Sequence, residues 1–366
     1  MKIALIIIFL VHGLLHLPGF FKAFGKGDVI RLAGYISRPM GLLRLLAAVV
    51  FLIVATLIIM NKQGWPFFAI AAVILSQTLI IISWQDAKWG TVVNIIILIL
   101  SVPALGRFHF EAMVKKEVIG LLEEAPQNRA IVKMEDLGHL PGSVQNWLIE
   151  SGVVGKDNVF TGRLKQHGQM KTQPNGKWMA FDAVQYFNLQ TPGFNWAVQV
   201  DAFPMVHLSG RDKLTYGEGE MKIKLLSLIN VVDEKGNEKV NSGSMRRFLG
   251  EICWFPSAAL EDYISWEEID SLTAKATFTQ QNKEVSGIFR FSTEGDLLSF
   301  EANRYYGGDE NAMQHIWLIE VLEHKVFDGI KVPSKCKVTW KLPEGDFNWL
   351  NLESTTVEYN ISSPFK

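Results

Sequence analysis

The chain has 366 residues, 48% of them hydrophobic, with 36 Lys and Arg against 37 Asp and Glu. A formal net charge of -1 excludes an obvious nucleic-acid binder, and 11 Trp with 23 Phe exclude a disordered chain. Two cysteines support neither a disulfide-dense scaffold nor a zinc site built from four thiolates.

The near-neutral total is a cancellation. Up to His109, nine basic side chains against two acidic ones give +7, and the 27 and 35 that remain give -8. That first region holds four long apolar runs: Ile3 to Phe21, Met40 to Met60, Pro66 to Trp84 and Thr91 to Leu105. A bilayer core of about 30 Å needs roughly 20 apolar residues in a helix, so four membrane helices are expected. The fourth run is the shortest and contains Asn94 and Pro103. Leu17-Pro-Gly-Phe-Phe21 makes a poor cleavage site, so the first run reads as a membrane helix and not as a signal peptide.

Lys22, Lys26, Arg31 and Arg38 follow the first run, Arg44 lies just inside the second, and Lys88 joins them from the third connection. The opposite side carries Lys2, Lys62 and Arg107, with Lys115 and Lys116 further out. The positive-inside rule then places the first loop in the cytoplasm and both termini outside the cytoplasmic face. His12 and His16 stand four apart on one helix face. Hydrogen bonding between helices is the plainer role for them, and one haem held by both would be awkward. No metal or cofactor is expected, and His12 and His16 are the residues that would serve if a metal bound.

Phe108 to Ala125 reads as an amphipathic connecting helix that either continues the fourth membrane helix or lies at the interface, with Pro126 ending it. A short helix is expected over Leu140 to Glu150. After Gly155 the hydrophobic period becomes two, as in Met221 to Leu225, Ala274 to Phe278 and Lys335 to Lys341. Turn signals recur at Pro174-Asn-Gly, Asp233-Glu-Lys-Gly, Thr293-Glu-Gly and Pro343-Glu-Gly. Roughly ten antiparallel strands are expected, forming a barrel, a half-barrel or a sandwich. One helix interrupts them, Ser242 to Pro256, capped by Ser242 or Ser244. Its apolar face is Met245, Phe248, Leu249 and Ile252, and Arg247 can pair with Glu251 one turn on.

Four segments resemble a bacterial membrane-anchored family known as a domain of unknown function. They are His12 to Phe20, Ala183 to Phe187 followed by Pro192 to Trp196, Gly210 to Gly219 and Arg247 to Pro256. The second half is also loosely similar to the half-barrel of periplasmic lipoprotein carriers, in which a helix covers a curved sheet. That resemblance implies a concave face able to hold acyl chains and a place in the bacterial cell envelope.

Catalytic motifs are mostly absent: there is no G-x-S-x-G, H-E-x-x-H, P-loop or C-x-x-C. Ser334-Lys-Cys-Lys337 matches S-x-x-K by chance within a strand pattern. Alternation puts Arg304 on the face of Leu298, Phe300 and Ala302, so an Arg points toward the core and requires a carboxylate. Glu251 is the expected partner, with Arg211, Asp212 and Arg247 as further members. The same charges can form a purely structural network. Tyr186, Trp196, Trp254 and Tyr305 would supply aromatic walls or plain core. Cys253 and Cys336 are expected as two buried thiols, or as a disulfide if the helix packs against that strand.

The expected architecture is a four-helix transmembrane bundle (1–106), an amphipathic connecting helix (107–126) and a large antiparallel β domain (127–366) with a covering helix. The expected function is a multi-pass membrane protein whose extracytoplasmic β domain binds a hydrophobic or amphipathic ligand, a lipid foremost, with no nucleic acid. An enzyme acting on a lipid or envelope substrate and a scaffold or sensor binding a protein partner are the alternatives.

Overall fold

The computed structural model describes residues 2–25, 34–123, 130–204, 206–307 and 311–365. Lys26, Arg31 and Pro126, which entered the loop-charge and helix-stop readings, lie outside the described residues. The chain forms two compact units, Met1–Glu111 and Ala112–Lys366.

In the first unit, α1 (Lys2–Leu14) and α2 (Leu17–Ala23) form one broken apolar rod, interrupted just ahead of Pro18. Helices α3 (Arg38–Ile59), α4 (Trp65–Ile82), α5 (Trp84–Ala87) and α6 (Gly90–Glu123) follow. Four stretches are long and apolar enough to cross a membrane: Lys2–Ala23, Arg38–Ile59, Trp65–Ile82 and Gly90–Glu123. The segment after Leu105 continues α6 without a break, and Pro103 sits inside that helix. Small residues let the helices approach, because Ala47, Ala55, Ala69 and Ala72 are all buried among Phe9, Phe51 and Val54.

The second unit contains α7 (Gly142–Glu150), preceded by Pro141, and thirteen strands. They are β1 (Thr161–Met170), β2 (Met179–Asn188), β3 (Gly193–Phe203), β4 (Val206–Thr215), β5 (Glu218–Leu225), β6 (Ile229–Lys235) and, after α8 (Glu238–Glu251), β7 (Ile264–Asp270). The rest are β8 (Thr273–Gln280), β9 (Lys283–Phe291), β10 (Leu297–Tyr305), β11 (Gln314–Phe327), β12 (Ile330–Leu342) and β13 (Gly345–Tyr359). All join one antiparallel sheet, in the order β6-β5-β4-β3-β2-β1-β13-β12-β11-β10-β9-β8-β7. The expected ten strands fall short because some hide their period. β2 and β3 bury residues on both faces: Tyr186 lies under Phe365, and Asn195 bonds Glu117 of α6.

The topology explains the covering helix. The first meander ends at one edge, β6, and the second begins at the opposite edge, β7. The connection must cross from edge to edge, and α8 packs on β4, β5 and β6 as well as on β8, β9 and β10. The sheet is therefore an open curved half-barrel with its ends gathered under one helix. This helix begins a turn before Ser242: Asn237 caps it, accepting from the Val240 amide at 2.9 Å, so neither Ser242 nor Ser244 is the cap. Met245, Phe248, Leu249 and Ile252 are all buried. Gly250 allows the close approach, since a Cβ there would stand 2.6 Å from the Phe300 ring.

The hairpin joining β4 to β5 turns at Tyr216 and Gly217, both at positive φ (51° and 73°), the conformation of a two-residue primed turn. Gly210 to Gly219 is thus a hairpin. Cys253 and Cys336 are both buried free thiols. Burial pushes both thiols up, that of Cys336 to about 12.

Candidate functional site

The candidate site is a charged cluster where α8 meets the concave side of the sheet. Arg247 on α8 donates from Nη1 to Asp212 Oδ2 of β4 at 2.7 Å, and from Nε to Glu251 Oε1 at 2.8 Å. Glu251 also accepts from Gln185 Nε2 of β2 at 2.7 Å. The Arg247 guanidinium lies 4.5 Å from the Trp196 ring of β3 and 5.1 Å from that of Phe194. The i, i+4 spacing of Arg247 and Glu251 points both at the sheet, and the edge-to-edge crossing brings them over β2 and β4.

Arg304 of β10 enters from the other side. Its guanidinium carbon lies 4.5 Å from the Trp317 ring of β11 and 5.9 Å from that of Trp340 on β12. On the helix side it faces Gly243, where a Cβ would stand 3.4 Å from Arg304 Nε. Among the described residues Arg304 makes no ion pair within 4.0 Å. The charges of Asp212 and Glu251 reach it, but at longer range than a hydrogen bond. Glu251 is therefore a neighbour of Arg304 and the bonded partner of Arg247.

Arg246, next along α8, has a buried Nη1 with no hydrogen-bond partner. Three guanidiniums (Arg246, Arg247 and Arg304) thus lie within electrostatic reach of two carboxylates (Asp212 and Glu251). Burial raises the Asp212 and Glu251 carboxyls, and Arg247 acts against that shift in both. Burial, then repulsion from Arg247, brings Arg304 down to about 10. Burial also lowers Arg246. The surplus positive charge sits on Arg246 and Arg304.

The other candidates separate. Strand alternation sends Arg211 to the convex face, away from Asp212, where its Nε meets Glu117 of α6 at 3.1 Å and its Nη2 meets Glu220 at 3.1 Å. Tyr186 is likewise convex, its hydroxyl accepting from the Phe365 amide at 3.0 Å. Trp254 is core, its indole donating to Pro333 O at 3.0 Å. Tyr305 lies at the rim, beside Lys239 at 5.4 Å. Phe300, Ala302 and Arg304 share the core side, but Leu298 is 48% exposed. A bulge between Leu297 and Ser299 shifts the alternation, so Leu297 takes the buried place.

Gln185, Gly243, Arg246, Trp317 and Trp340 were not singled out from the sequence. Arg246 carried a signal, the pair it forms with Arg247, whereas the other four look like ordinary strand or helix residues.

In the first unit, His12 Nε2 lies 2.8 Å from Asn94 Oδ1 and 3.1 Å from Ser76 Oγ, and His16 Nε2 lies 3.0 Å from the same hydroxyl. The two imidazoles are hydrogen-bonded between helices. Among the described residues no group of three His, Cys, Asp or Glu side chains is arranged to hold a metal.

A model of a family of unknown function (DUF6544) matches residues 130–352, and the chain belongs to that family. No curated protein matches it. A LolA superfamily protein from Nitrosomonas europaea is similar at 8% identity and a TM-score of 0.36, over 60% of this chain and 94% of that one. A domain assigned to an outer membrane lipoprotein-sorting protein of Vibrio parahaemolyticus is similar at 7% identity and a TM-score of 0.34, over 60% and 91%.

Proposed function

We propose that this DUF6544 member is a membrane-tethered binding protein that holds an amphipathic ligand with an anionic head at the rim of its half-barrel. One observation carries the reading: Arg304 lies between a helix backbone and an indole and, among the described residues, has no acidic group in bonding distance. A desolvated guanidinium without a counter-ion is costly, and an anionic ligand would offset that cost. The unpartnered Nη1 of Arg246 supplies a second donor. A carboxylate or phosphate oxygen suits both, because guanidinium groups bind such oxygens in a planar fork.

Beneath α8 the concave space is packed with Phe248, Phe278, Phe289 and Phe300, so the ligand's apolar part belongs beside that core, against Trp196, Trp317 and Trp340. Arg247, already saturated by two carboxylates, orients the helix rather than the ligand. The four apolar stretches are the tether, and the excess of Lys and Arg in the first loop supports an extracytoplasmic β unit.

Calorimetric titration of the full chain in a nonionic detergent tests this reading. Lysophosphatidylglycerol should bind, neutral monoacylglycerol should bind at least about tenfold more weakly, and Arg304→Gln should remove the difference, as expected for a lost charge-assisted hydrogen bond. Equal binding of the two amphiphiles, or an unaltered preference in Arg304→Gln, would overturn it.

A further inference from the structure

The first unit contains a partly open cavity of about 640 Å³, within the size range of ligand sites. Its walls combine Leu15, Met40, Ile80 and Ile82 with His16, Arg44, Ser83 and the carboxylate of Asp86. Arg44, on α3, is only 7% exposed in a helix apolar enough to span a bilayer. Its Nη2 donates to Ser83 Oγ at 2.6 Å, while its Nε is buried with no partner. Gly19 of α2 makes room for this side chain: a Cβ there would lie 2.4 Å from Arg44 Cδ and 2.8 Å from Nε. The packing therefore accommodates a cation that a plain membrane bundle would exclude.

We propose that this cavity binds the phosphate-bearing head of a membrane lipid through Arg44. Depth favours a lipid head, because Trp84 and Trp89 line the same cavity and are exposed, as interfacial aromatics are. The isoleucine wall takes the start of an acyl chain, and the Arg44 guanidinium takes a phosphate oxygen. His16, held in place by Ser76, lines the same cavity. This site stands independently of the Arg304 site.

Native mass spectrometry of the full chain in mild detergent, with phosphatidylglycerol added, is the test. Retention of the lipid should fall about tenfold or more in Arg44→Gln, the loss expected for a charge-assisted contact. It should fall similarly in Leu15→Trp, which narrows the cavity from an exposed position without removing a hydrogen bond. All chains compared carry Arg304→Gln, which removes the other proposed site, so the retained lipid is read at Arg44. Inorganic phosphate, added as competitor, should not displace the lipid, and displacement would assign the Arg44 site to the free ion. Undiminished retention in both Arg44→Gln and Leu15→Trp, or binding of ubiquinone in place of phosphatidylglycerol, would overturn the proposal. Should Arg44→Gln not fold, Leu15→Trp decides alone.

Discussion

Gly243 and Arg304 face each other so closely that a Cβ on the glycine would stand 3.4 Å from Arg304 Nε and 3.5 Å from Nη2. The helix backbone is thus one wall of a slot whose other wall is the Trp317 indole. An alanine methyl reaches ordinary contact, and alanine exceeds glycine in helix propensity by about 1 kcal/mol. Gly243→Ala should therefore keep Arg304 in place and leave the melting temperature unchanged or higher. Gly243→Leu overfills the slot and should weaken binding of an anionic amphiphile about as much as Arg304→Gln does, with circular dichroism unaltered.

The two arginines of the cluster should differ in what their loss costs. Arg247→Gln leaves Asp212 and Glu251 buried without their bonded cation, a change worth about 3–5 kcal/mol in comparable buried pairs. Arg304→Gln removes no ion pair and should cost less than about 1 kcal/mol. Thermal unfolding followed by tryptophan fluorescence separates them. Equal losses would make Arg304 a structural member of the network.

Acid stability should depend on Glu220 rather than on the buried carboxylates. Desolvation pushes Glu220 up, but Lys235, Lys213 and Arg211 outweigh it and hold the carboxyl down at about 2. A depressed folded value adds stability above the ordinary value near 4.5, and that stability disappears as pH falls toward 2. Asp212 and Glu251 are raised, so their contribution has the opposite sign and diminishes as pH rises. Melting temperatures measured from pH 5 to 2 should fall less steeply in Glu220→Gln than in the parent chain, whereas Asp212→Asn should not flatten that limb.

The proposed orientation has a direct readout. Cys253 and Cys336 are buried, so a membrane-impermeant maleimide should leave the parent chain unlabelled. Asn175→Cys, in the exposed turn between β1 and β2, should label in intact cells. Labelling only after permeabilisation would place the β unit in the cytoplasm.

Part of the site was legible in the sequence. Arg247 and Glu251 are one helical turn apart, and an arginine at the end of an alternating strand pointed inward. The Leu298 position was not legible, because a bulge resets alternation without a residue-type signature. The separation of Arg211 from Asp212 was implicit in the period of two, yet adjacent charges invite grouping.

Composition and period alone determined four apolar stretches, an antiparallel sheet and a helix between its two meanders, because each is a local property of burial and backbone geometry. Only the tertiary structure decided which charges meet. The edge-to-edge crossing of α8 over an open half-barrel joins β2, β4 and β10 at one rim. There Arg247 receives both carboxylates and Arg304 receives none. Such pairing depends on register and sheet curvature summed over thirteen strands, which no window of sequence contains.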